Sequence, residues 1–146
     1  MIKSVVNLLE RDLDRLVSEL EKYKQESDLW KVSGDIANSG GNLTLHIVGN
    51  MNHFIGHILG NTDYKRDREA EFNDKHIPKT DMIKEVVTLK ETIKTALHKY
   101  SESDLNEIYP IEVFGKPMTI EYFLIHLQGH LNYHLGQINY HRRLLT

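Results

Sequence analysis

The chain of 146 residues contains no cysteine, which excludes disulfides, thiolate metal sites and a cysteine nucleophile and fits a reducing compartment. No apolar run approaches the roughly 20 residues needed to cross a bilayer. The N-terminal stretch turns charged by Glu10, too early for the apolar core of a signal peptide, so a cytoplasmic address is expected. Excess positive charge is also missing. The net charge is -3, and no Lys/Arg stripe marks a nucleic-acid surface. Repeats, low-complexity tracts and domain-length linkers are absent, so residues 1–146 read as one domain, long enough to bury a core. Its 40% hydrophobic and 27% charged composition is that of an ordinary globular protein.

Four long segments carry helical periodicity. In the first, Ile2, Val5, Val6, Leu9, Leu13, Leu16, Val17 and Leu20 repeat at helix spacing, which predicts a helix to about Gln25. Trp30 follows as a core anchor, and Ser33-Gly34 to Asn42 is rich in breakers. A second helix is predicted from about Asn42 to Leu59, closed by Gly60-Asn61. Residues 61–78 read as a polar link. Thr80 is the expected N-cap of a third helix carrying Ile83, Val86, Val87, Ile93 and Leu97. Ile108 to Phe114 alternates loosely before Gly115-Lys116-Pro117, which predicts a short hairpin or extended arm. Thr119 caps the last helix, running to about Leu144. The fold class is all-α, a four-helix bundle.

The chain has nine histidines, and several fall in rows. His126, His130, His134, Gln137 and His141 share roughly 80° of arc on the last helix, at about 100° per residue. Leucines flank one side of this stripe. Tyr122, Tyr133 and Tyr140 flank the other and read as core-edge packing. His46, Asn50, His53 and His57 share a narrower arc on the second helix. Imidazoles four apart lie one turn apart and can grip one ion, whereas His126 and His134 are about 12 Å apart along the axis and cannot. Usable pairs are therefore 126/130, 130/134 and 53/57. A catalytic site wants three protein ligands and one open position, with the third ligand from across the bundle. Spacing alone chooses neither the pair nor that third ligand.

His130-Leu-Asn-Tyr-His134-Leu-Gly136-Gln137 resembles the His-x-x-x-His motif, followed by Gly-Gln, on the last helix of the DinB-like (DinB/YfiT) superfamily of four-helix bundles. Asn38-Ser39-Gly40, then Leu45-His46-Ile47-Val48-Gly49-Asn50, resembles the corresponding upstream segment of one uncharacterised branch. Arg66 to Phe72 resembles that branch's Arg/Glu-rich loop. The resemblance spans nearly the whole chain in the same order.

Carried over by position, it implies a triad of His46, His130 and His134 holding a divalent metal, zinc or nickel. His53, His57 and His126 match no ligand position and read as bystanders. Gln137 either orients a ligand or makes an ordinary interhelical hydrogen bond. The resemblance further implies a small-molecule enzyme, either a transferase using a low-molecular-weight thiol or a hydrolase. No general base is assigned: Glu69, Glu71, Tyr133 and Asn50 are polar candidates, but the Arg66–Glu71 run reads first as a solvated, salt-bridged loop. The alternative is a non-catalytic, metal-stabilised binding module associated with stress. A homodimer through the first helix is expected, because a long amphipathic helix must bury its apolar face.

Overall fold

A computed structural model describes residues 1–146 as helices joined by connecting segments, the two longest being 23–39 and 99–119. Helix α1 spans Ile2–Lys22, α2 Gly40–Met51, α3 Arg68–Asn73, α4 Lys79–His98 and α5 Ile120–Leu145. A π-helical segment, Asn52–Leu59, prolongs α2. No helix is long and apolar enough to cross a membrane.

The long elements form the predicted bundle, and paired side chains fix its topology. Glu10 and Asp14 of α1 meet Lys94 and Lys90 of α4, so those helices run antiparallel. Asp12 accepts from Gln128 and Asn132, and Glu19 accepts from Asn139 and Arg142, so α1 and α5 run parallel. α2 runs antiparallel to α5, with Phe54 edge-on to Phe123 near one end and Gly40 beside His141 at the other. α1 and α2 are thus diagonal, each lying between α4 and α5. Leu9, Leu13, Leu16, Met51, Ile55, Val86, Ile93, Leu127 and Leu131 fill the centre. The apolar face of α1 is spent inside the bundle rather than left for a partner.

Several boundaries differ from the periodicity. α1 ends at Lys22 because Tyr23 turns extended. Tyr23 then buries its ring, with its hydroxyl 2.6 Å from His141 Nδ1. α2 starts two residues early because the Ser39 hydroxyl caps it, accepting from Asn42 N–H. Asn61, with φ of 56°, closes the segment as expected. α4 begins at Lys79 after Pro78, so Thr80 is not its cap. The link contains α3, capped by Asp67. The predicted hairpin reduces to one antiparallel bridge, Ile108 with Thr119, and the Thr119 hydroxyl caps α5 as foreseen. Trp30 is half-buried against the core.

Candidate metal centre

His46 comes from α2, with His130 and His134 one turn apart on α5. Because these helices pack antiparallel, the three rings point into one gap. His130 Nε2 lies 3.2 Å from His46 Nε2 and 3.1 Å from His134 Nε2. One ligand atom from each residue falls within 4.8 Å of the other two, and no other histidine or carboxylate belongs to this group.

The far side of each ring decides what the gap can hold. Glu71 Oε1 accepts from His46 Nδ1 at 3.0 Å, and Arg66 donates to both Glu71 oxygens at 2.8 and 2.9 Å. Burial alone would raise the Glu71 carboxyl, but bonds from His46 and Arg66 outweigh it and hold the group below its ordinary range. The carboxylate therefore keeps the His46 proton on Nδ1. Gln137 Oε1 accepts from His134 Nδ1 at 2.7 Å and does the same there. Both rings then aim Nε2 lone pairs at His130 Nε2, and a single imidazole hydrogen can satisfy only one of them. A cation satisfies all three. The 3.1 and 3.2 Å separations from His130 Nε2 suit it, since ligands about 2.05 Å from zinc in a tetrahedron lie roughly 3.3 Å apart. Burial, then the neighbouring His134 and His46 rings, pull His130 down to about 4, and burial lowers His134 as well. Both are neutral at pH 7, as metal ligands must be. His130 Nδ1 and Asn50 Oδ1 are buried without a partner in the chain.

Glu71 overturns the reading of its loop as solvated. The side chain is buried, and α3 carries it back onto α2. Gly49, one residue short of a full turn after His46, makes this possible, because a Cβ there would collide with the Glu71 carboxylate. That glycine on the inner helix was the available signal. Glu69 stays exposed. Gln137 bonds the His134 ring on its own helix rather than a group on a neighbouring helix.

The other histidines are placed elsewhere. His53 stacks on His57 at 6.0 Å between ring centroids, and His57 Nδ1 lies 2.6 Å from the Thr62 carbonyl oxygen. The π-helical turn explains the divergence, since it abandons the 3.6-residue register that aligned these rings with His46. His126 is exposed and stacks on Phe123. His141 is buried between Tyr23 and the Lys31 carbonyl. Tyr122, Tyr133 and Tyr140 are exposed rather than packed at the core edge. Beside His134 opens a cleft of about 570 Å³, walled by Ile36, Asn38, Leu43, Tyr133, Gln137 and Tyr140 among others.

The four-helix bundle, with two histidines on its last helix facing a third on α2, has the DinB-like fold. The fold is shared with a crystal structure of a DinB-like protein from Bacillus cereus ATCC 10987, at TM-score 0.74 and 17% identity over 97% of this chain and 90% of that one. It is shared also with a conserved protein from Enterococcus faecalis, at TM-score 0.73 and 15% identity over 99% and 96%. No curated protein matches the chain. Residues 2–146 match the family described as Protein of unknown function (DUF1572), and the chain belongs to that family.

Proposed function

We propose that His46, His130 and His134 bind one divalent metal ion, zinc or nickel, and that the chain is a metal-dependent enzyme acting on a small molecule. The observation that carries this reading is the fixed tautomer of two rings, which leaves converging Nε2 lone pairs with no hydrogen to share. A bound ion would supply positive charge that stabilises an anion, either the thiolate of a low-molecular-weight thiol or hydroxide from water.

The protein's own groups do the rest. Glu71 and Gln137 hold the ring protons on Nδ1 and fix the ring planes. Three protein ligands leave a position open, and the cleft beside His134 has the volume of a small-molecule site. Leu43 and Ile36 offer it apolar contact, while Asn38 and Tyr133 offer polar atoms for orientation. Thiol transfer is the first reading and hydrolysis the second. A non-catalytic binding module draws support from Glu71, whose oxygens are already committed to His46 and Arg66 and so serve poorly as a base.

Elemental analysis of untagged protein tests the site. About one zinc or nickel per chain, lost in His130→Ala/His134→Ala, is the expected result. A chain that stays metal-free after reconstitution refutes it. Cobalt-substituted protein then separates the chemistries, because added thiol produces a sulfur-to-cobalt charge-transfer band only if the thiol coordinates.

A further inference from the structure

Residues 122–141 of α5 include no Asp, Glu, Lys or Arg. The inward side of the helix is occupied by Phe123, Leu127, Leu131 and Ile138. Its outward side, at about 100° per residue, presents Tyr122, Ile125, Gly129, Tyr133, Gly136, Tyr140 and Leu144. The five large side chains are all more than half exposed, from 52% at Ile125 to 67% at Tyr133 and Leu144. Helix α4, diagonal to α5, shows what an outward face in water looks like here, with Lys84, Glu85, Glu91 and Lys94 exposed. An aromatic, uncharged stripe along a whole helix is the mark of a covered surface.

Two features say what covers it. The stripe is nearly its own reverse about a point between Asn132 and Tyr133: Gly129 mirrors Gly136, Ile125 mirrors Tyr140, and Tyr122 mirrors Arg143. A self-complementary patch of this kind is what a two-fold dimer needs. The charges at its ends complete the match. Glu121 and Arg143 have no ion-pair partner within the chain, whereas Arg142 is bound to Glu19 at 2.8 Å. Antiparallel pairing sets Glu121 of one protomer against Arg143 of its partner, while parallel pairing would set like charges together. We propose that the outward face of α5 pairs antiparallel with the same face of a second copy of this chain.

The glycines fit this independently. A Cβ added at Gly129 or Gly136 would meet nothing within 4 Å, so the bundle itself has no use for either. Glycine is a poor helix former, and two on one outward face weaken the helix without return unless another backbone approaches there. The 26-residue helix is about 39 Å long, and a stripe about 10 Å wide gives roughly 400 Å² a side. The total of about 800 Å² falls below the roughly 1,200–2,000 Å² of stable interfaces, so the dimer is a weak one that dissociates on dilution. Tyr133 and Tyr140 also wall the cleft beside His134, which places the partner at its rim.

Sedimentation velocity of metal-free and metal-loaded protein, from low micromolar to near-millimolar concentration, is the test. The expected mass rises from one chain to two in both forms, independently of what the histidines bind. Tyr133→Glu should weaken association by at least about tenfold, as loss of a central aromatic does. Glu121→Arg and Arg143→Glu should each weaken it, and the two together should restore it. The charge pair, at the exposed ends of the helix, carries the test even if Tyr133→Glu folds poorly. A wild type that stays one chain throughout overturns the proposal, and so does a dimer in which the double charge swap fails to restore what either single change lost.

Discussion

Replacing Glu71 with glutamine probes how the histidine cluster is held from behind. The carboxylate accepts one bond from His46 Nδ1 and two from Arg66, at 2.8–3.0 Å. Glutamine keeps the volume but offers one acceptor oxygen and turns an NH₂ toward groups that are themselves donors. Hydrogen bonds to charged groups contribute about 1.5–3 kcal/mol each. Arg66, with a largely shielded side chain, also loses its counter-ion. Losing at least one such bond and facing donor against donor should cost the metal-free protein about 2–4 kcal/mol, near the range for breaking a buried pair. His46 would lose the anion that fixes its tautomer, which in metal sites lowers affinity about 10–100-fold. Urea unfolding in chelator, followed by far-UV circular dichroism, reads the first quantity. Zinc titration against a chromophoric chelator reads the second. Glu71→Asp keeps the charge beside Arg66 but falls short of His46, so it should spare more stability than affinity. A Glu71→Gln variant with the wild-type urea midpoint and zinc affinity within about twofold of wild type would refute the reasoning.

Three further perturbations address the scaffold. Burial pushes the Asp12 carboxyl up, but hydrogen bonds from Arg11, Asn132 and Gln128 outweigh it and hold the group below its usual range. Its stabilisation is therefore present above about pH 4 and lost as pH falls through the depressed value. Asp12→Asn should lower the urea midpoint at pH 7 and flatten the acid limb below about pH 4. Leu131→Ala removes a fully buried side chain one residue after His130 and should cost about 2–5 kcal/mol in denaturant unfolding. Tyr23→Phe strips the hydroxyl from buried His141 and should cost about 1–3 kcal/mol, read as a lower thermal midpoint.

The histidine row on α5 was legible because a straight α-helix keeps its period, so His130 and His134 lie one turn apart as the spacing requires. The same arithmetic failed on the second helix. It aligned His53 and His57 with His46, and the π-helical turn from Asn52 took them out of line. A change of helical register leaves no trace in apolar spacing, because Ile55 and Leu59 still reach the core. The three tyrosines were misplaced for a related reason. Periodicity assigns them to a face, but only the neighbouring helices decide whether that face is covered within the chain.

The sequence by itself determined the class of the fold, the caps at Thr119 and Asn61, and the one-turn spacing of His130 and His134 on α5, all of which follow from local period and backbone chemistry. The third imidazole and its anion were tertiary decisions. His46 meets His130 only because α2 packs antiparallel to α5, and Glu71 reaches His46 only because α3 folds back over Gly49. Contacts across 84 and 25 residues depend on which helices share a layer, and no local preference encodes that.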